Sequence, residues 1–161
     1  MKRILLLAAL LCSLSSIAGA QDYDKGFAAY ARGNYATAMR EWRPLAKQGV
    51  AKAQFNLGVM YERGQGVPKD SAEAVRWYRR AAEQGFAKAY FNLGNMYDMG
   101  QGVPQDYAEA YIWFSLAAAG GQETAPPRWR DSMAAKLTPD QLRDAQREAK
   151  RRWERIQARK K

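Results

Sequence analysis

The feature that most constrains this chain is an internal duplication. Residues 48–83 and 84–119 superpose without a gap at a period of 36 residues, and 23 of the 36 positions are identical. The shared runs include Ala-Lys-Ala, Phe-Asn-Leu-Gly, Met-Tyr and Gly-Gln-Gly-Val-Pro. A shorter copy, residues 23–47, precedes them. Tyr30-Ala31-Arg32-Gly33 aligns with Tyr61-Glu62-Arg63-Gly64, then Ala38, Trp42 and Leu45 align with Ala74, Tyr78 and Ala81, with five loop residues missing. A fixed period of this length marks a repeat architecture. Each unit is one supersecondary element that cannot bury its apolar flank alone, so neighbours must stack.

Each unit reads as two helices. Ala51 to about Arg63, and Ala87 to about Met99, are free of proline. Gly64-Gln65-Gly66-Val67-Pro68 stops the first helix, because glycine accepts the left-handed cap conformation and proline cannot continue a helix. Asp70 with Glu73, and Asp106 with Glu109, have the spacing of a capping box that starts the second helix. Short loops make the two helices antiparallel neighbours. The expected fold is therefore all-α: an α/α solenoid of antiparallel helix pairs with a C-terminal capping helix. Gly58 and Gly94 lie inside helices, where glycine costs about 1 kcal/mol against alanine. That cost is tolerated where a facing side chain approaches closely, with Tyr78 or Phe114, and Trp77 or Trp113, as fillers. A bulky residue at either glycine is expected to disrupt the stack.

The pattern Leu57-Gly58-x-x-Tyr61 followed by Ala74, Tyr78 and Ala81 resembles tetratricopeptide repeats, and Leu93-Gly94-x-x-Tyr97 followed by Ala110, Phe114 and Ala117 repeats it. The period and the Gly-x-Gly-Val-Pro loop are closer to the Sel-1-like repeat family, a tetratricopeptide relative. The resemblance covers most of residues 23–121. It implies a right-handed α/α solenoid and a role as a scaffold in protein–protein interaction. Some bacterial family members are disulfide-rich and linked to β-lactam binding, which makes a β-lactam-binding or hydrolysing protein an alternative reading. That subgroup's architecture is not matched here, because the only cysteine, Cys12, falls in the segment expected to be removed.

Helical geometry, about 100° per residue, separates two faces of the first helix of each unit. Lys52, Asn56, Val59 and Arg63 share one arc, and Lys88, Asn92, Asn95 and Met99 share the matching one. Ala53, Leu57, Gly58 and Tyr61 occupy the opposite, core-facing arc. First helices line the concave side of tetratricopeptide-like solenoids, so these eight residues are the candidate partner-binding stripe. Their amides and cations suit a peptide backbone or carboxylates. In the alternative reading Asn56 and Asn92 tie neighbouring units together.

The two ends differ from the body. Lys2 and Arg3, an apolar run from Ile4 to Leu14, and Ala18-Gly19-Ala20 make up a secretory signal peptide, residues 1–20, cut after Ala20. The product is expected to be periplasmic or secreted, with the repeats in residues 21–121 and C-terminal helices with a basic tail in 122–161. Of the formal net charge of +10, residues 21–127 contribute 12 basic and 11 acidic side chains, whereas residues 128–161 contribute 12 basic and 5 acidic. A short helix is expected over 128–136. A longer one starts at Thr138-Pro139-Asp140-Gln141 and runs to about Arg159. Leu142, Ala145, Ala149, Trp153 and Ile156 form its apolar stripe, of which Leu142, Ala145 and Ala149 are expected to dock on the exposed edge of the last repeat. Arg147, Lys150, Arg151 and Arg155 face elsewhere and give a second alternative, binding to an anionic membrane surface. No nucleic acid is expected, since no recognition motif accompanies the charge.

The residue types argue against catalysis. His is absent and the mature serines are only Ser71, Ser115 and Ser132. Gly64-Gln65-Gly66 lacks the spacing and the following Lys-Ser or Lys-Thr of a phosphate loop. The repeated carboxylates Asp70, Glu73, Asp106 and Glu109 sit where helices begin, which capping explains. The chain is thus read as a non-enzymatic interaction module, with no cofactor or metal and with a protein or peptide partner.

Overall fold

The structure, a computed structural model, describes residues 22–121 and 127–159. The expected signal segment and Lys160 and Lys161 lie outside the described residues. Eight helices and no strand occur within them. α1 covers residues 22–31. It is followed by α2 (Tyr35–Lys47), α3 (Ala51–Arg63), α4 (Ser71–Glu83), α5 (Ala87–Met99) and α6 (Tyr107–Ala119). α7 (Pro127–Ala134) and α8 (Pro139–Ala158) close the chain.

The helix ends follow from local chemistry. Asp70 accepts the Glu73 backbone N–H at 2.8 Å, and Asp106 accepts those of Ala108 and Glu109 at 2.9 and 3.0 Å, satisfying N–H groups that have no partner within the helix. The reciprocal half of the expected capping boxes is not made. The N–H groups of Asp70 and Asp106 are already donated to the carbonyls of Tyr61 and Tyr97, which leaves Glu73 and Glu109 free for arginines. Among the described helix starts only α8 has a complete box, between Thr138 and Gln141. α3 and α5 end at Gly64 and Gly100, both left-handed. Gly66 is also at positive φ (72°), and a Cβ there would lie 2.8 Å from the Tyr35 carbonyl carbon. The loop therefore presses its backbone against the start of the preceding unit's second helix, and Gly102 does the same against Ser71.

Within each unit the two helices meet through a repeated contact. A Cβ on Gly58 would lie 2.5 Å from the Tyr78 ring, and one on Gly94 would lie 2.6 Å from the Phe114 ring. Tyr78 and Phe114 are thus the fillers; Trp113 instead stacks on Tyr90 at a 6.2 Å centroid distance. In the first unit Gly26 meets Trp42 in the same way. This packing pairs Gly26 with Gly58, one residue off the register set by matching Tyr30 to Tyr61. Phe55 then lies between Tyr78 and Phe86 of the next unit (5.5 and 5.2 Å).

The end of the stack is closed by two devices. Phe91 meets Phe114 and Trp129 at 5.7 and 6.0 Å, so Trp129 of α7 occupies the place that Phe86 holds one unit earlier. Met133 of α7 is buried beside it. α7 therefore shares the capping expected of α8 alone. α8 lays Ala145 and Ala149 against the last repeat as expected, together with Ile156, with Leu142 and Trp153 half-buried at the margin. Its cover is α6: Ile112 and Ala145 border one cleft, and Arg152 forks onto Glu109.

Candidate binding surfaces

The expected stripe on α3 and α5 divides into two groups. Lys52, Arg63 and Lys88 are exposed, and Met99 is 56% exposed, unusual for a large apolar side chain. Lys52 and Lys88 stand at the same place in consecutive units, as do Arg63 and Met99. The other four residues are partly spent on the fold. Asn56 donates to the Tyr23 hydroxyl of α1 at 3.1 Å, tying two first helices together. Val59 packs against the core of the following units. Asn92 stands beside the Tyr78 phenol, which donates to Glu62 at 2.5 Å. Burial and the Glu62 charge hold that phenol well above its ordinary pKa, and Asn92 partly offsets the rise. Glu62, Tyr78 and Asn92 come from α3, α4 and α5, so this polar joint crosses from one unit to the next. Asn95 is half-buried. Asn56 and Asn92 thus act as inter-unit ties, and the outward-facing part of the stripe is Lys52, Arg63, Lys88 and Met99.

The basic helix is less free than its composition suggests. Arg143 pairs with Asp140 and Arg147 with Asp144. Arg151 lies 3.0 Å from Glu148, and Lys150 lies 4.0 Å from Glu154. Of the four cations expected to meet an anionic surface, Arg147, Lys150 and Arg151 each have a carboxylate neighbour. The helix's apolar stripe, which membrane binding would need, is used against the repeats. No helix among the described residues is long and apolar enough to cross a membrane.

Sequence reasoning did not single out Arg152, the most constrained charge in the molecule. It donates to Glu109 at 2.8 and 2.6 Å and to Glu148 at 2.9 Å, and lies 5.3 Å from the Trp113 ring centroid. Burial alone would lower its pKa; the hydrogen bonds and charges of Glu109 and Glu148 outweigh that and raise it above the ordinary arginine value. The Arg152 hydrogen bond holds the Glu148 carboxyl below its usual range. Glu109 lies 43 residues from Arg152, so no local pattern announces the pair. Among the described residues no group of three or more His, Cys, Asp or Glu is placed to hold a metal ion. Ser115 donates to the Tyr111 carbonyl of its own helix.

A family model described as Sel1 repeat matches residues 51–86 and 87–122, the same period cut three residues later than 48–83 and 84–119. Among solved structures, a protective antigen present in uropathogenic Escherichia coli strains, displaying an SLR fold, is 32% identical with a TM-score of 0.76 over 87% of this chain. A Sel1 repeat protein from Oxalobacter formigenes is 38% identical with a TM-score of 0.61 over 65% of this chain. This chain spans 32% and 41% of the length of those two chains, respectively. No curated protein matches it. Sel1-repeat proteins are typically scaffolds for protein–protein interaction and generally not catalytic. The chain thus carries two tandem Sel1 repeats over residues 51–122, in a helix-pair stack shared with solved structures of that fold.

Proposed function

We propose that this is an exported, non-catalytic interaction scaffold, sent through the envelope by residues 1–20 and engaging a protein or peptide partner along α3 and α5. One observation carries the reading. Lys52 and Lys88 project from equivalent places in successive units, and Arg63 and Met99 do the same, without ion-pair partners among the described residues. Such a two-unit pattern suits an extended partner that meets the same chemistry twice, with donors for its carbonyls or carboxylates and one apolar contact at Met99.

The test is capture from a native envelope fraction with the wild-type chain and with a Lys52→Ala, Arg63→Ala, Lys88→Ala, Met99→Ala variant that melts like wild type. A protein held by the first and lost from the second supports the reading; equal capture sinks it. Turnover of a chromogenic β-lactam is expected to be absent, and any turnover that follows the purified chain would overturn the non-catalytic assignment. Export is checked separately by N-terminal sequencing of the secreted or periplasmic product, which should begin at Gln21.

A further inference from the structure

α8 crosses the outer face of α6, and its last turns come alongside the end of α4. Between them lies a cleft of about 390 Å³ that the stripe on α3 and α5 does not touch. Its size is that of a site for one or two side chains. Trp113 and Ile156 supply apolar surface, and Tyr97 lines the side toward the repeats.

The charged lining consists of four arginines and three glutamates, and these are not evenly matched. Arg152 takes two of the carboxylates, Glu109 and Glu148, at 2.6 to 2.9 Å. Arg79 donates to the hydroxyl of Tyr97, a neutral partner, and lies 5.7 Å from that ring's centroid. Its guanidinium is therefore positioned yet still carries an unbalanced charge. Arg155 and Arg159 form no side-chain hydrogen bond or close ion pair among the described residues, although the Arg155 charge acts on Glu148. Arg152 balances one of its two carboxylates, so the lining carries a net charge of +1, with the exposed Glu83 opposite Arg79, Arg155 and Arg159. Arg79 comes from the second unit and the other two from the C-terminal helix, so the positive cleft exists only because α8 is docked. Guanidinium forks match carboxylates in geometry and charge.

We propose that the cleft between α4 and α8 docks the carboxylate side chains of an acidic peptide segment, with Arg79, Arg155 and Arg159 as the recognising cations and Trp113 and Ile156 as the apolar floor. A peptide is favoured over a lipid surface because the rest of α8 offers no basic plane: Arg143, Arg147, Lys150 and Arg151 alternate with Asp140, Asp144, Glu148 and Glu154. This site is independent of the α3–α5 surface and stands or falls without it.

The experiment uses the full chain and fluorescence anisotropy of a labelled peptide with alternating Asp and Leu, beside a copy with Asn for Asp. The Asp peptide is expected to bind, and the Asn copy about tenfold more weakly. Arg155→Gln/Arg159→Gln and, separately, Arg79→Gln should each lower affinity for the Asp peptide by about fivefold to tenfold. Arg76→Gln and Arg147→Gln, outside the cleft, should leave it unchanged. Thermal melting of each variant shows that it is folded; if Arg155→Gln/Arg159→Gln melts early, Arg79→Gln on the repeat side carries the test. Equal binding of both peptides overturns the proposal. So does an equal loss from the variants outside the cleft, which would reveal only bulk attraction to a basic chain. A parallel arm uses phosphatidylcholine vesicles with and without phosphatidylglycerol. Binding to the anionic vesicles that depends on Arg155 and Arg159, with no binding of the Asp peptide, would assign the cleft to a membrane surface instead.

Discussion

α4 and α6 are the same helix written twice, with the same length, cap and aromatic filler, yet they present opposite outer faces. α4 shows solvent Arg76, Arg79, Arg80 and Glu83. At the matching places α6 has Ile112, Ser115, Leu116 and Ala119, and Ile112 and Leu116 are only 4% and 1% exposed. A helix that is polar on one side is a surface helix; one that is apolar nearly all round needs cover on every side. The duplication keeps the inner half constant because it must meet the neighbouring units. It lets the outer half diverge because one copy faces water and the other lies beneath α8. The polar joints diverge in the same way. Gln54, 5% exposed, donates to the Ala46 carbonyl and accepts from Gln84. One unit on, Tyr90 replaces Gln54 and Gly120 replaces Gln84. The buried Tyr90 hydroxyl has no partner among the described residues, and burial pushes its pKa up to about 12.

The sharpest way to break this comparison is to exchange one outer position. Ile112→Arg places a charge beneath α8, where the nearby Asp144 and Glu148 are already paired with Arg147 and Arg151, so a loss of about 3 kcal/mol or more is expected, together with release of α8. Arg76→Ile, the reverse exchange on α4, should change stability by less than about 0.5 kcal/mol, since Arg76 lies in water. Chemical denaturation gives the two energies, and limited proteolysis reports whether α8 has come free. Similar losses at both sites would mean that the two outer faces are not different environments.

The next effect tests what the two copies share. Gly58→Ala and Gly94→Ala each force a methyl into an aromatic ring, so each should cost about 1–3 kcal/mol, by similar amounts, despite the better helix propensity of alanine. Phe114→Leu should recover part of the Gly94→Ala loss and none of the Gly58→Ala loss, as read from denaturation midpoints. A neutral Gly94→Ala would show that the ring approach is not a constraint.

These differences mark how far the sequence could be read. The period, the glycine stops and the Asp caps are local, and they place α3 to α6 nearly residue for residue. The role of Gly58 was legible because an unfavourable residue recurring at one period calls for a steric cause. The docking of α8 on the last repeat was legible from its apolar stripe, and Ile112 and Leu116 in place of Arg76 and Arg80 mark the face of α6 that it covers; the capping by Trp129 of α7 was not legible. The stripe on α3 and α5 was legible as a face but not in its use. Asn56 is engaged by Tyr23, and Asn92 stands at Tyr78, both partners fixed by the stacking of units. The cleft at Arg79, Arg155 and Arg159 joins elements whose approach no spacing rule provides.

The copies also differ in what their first-turn glutamate does. Glu73 pairs with Arg76, whose side chain is 60% exposed, whereas Glu109 holds Arg152, 23% exposed and shared with Glu148. Glu109→Gln should therefore cost about 1–2 kcal/mol, against less than about 0.5 kcal/mol for Glu73→Gln. Equal small losses, measured by urea denaturation at neutral pH, would reduce the Arg152 fork to a surface contact.

The smallest expected effect is one of pH, and it belongs to the covered copy alone. Hydrogen bonding to Arg152, against a smaller opposing effect of burial, lowers the folded-state pKa of Glu148 below its ordinary 4.5. A carboxylate with a depressed folded pKa binds fewer protons folded than unfolded, so its contribution is present above the unfolded value and disappears as pH falls through the folded one. Glu148→Gln should thus cost a few tenths of a kcal/mol at neutral pH and flatten the acid side of the stability curve below about pH 4.5, because half-exposed ion pairs contribute little. Denaturation midpoints of wild type and variant, followed from pH 7 to pH 3, should converge at the acid end. Curves that remain parallel would mean that the Arg152 fork draws its stability from Glu109 alone, leaving Glu148 a bystander to the docking of α8.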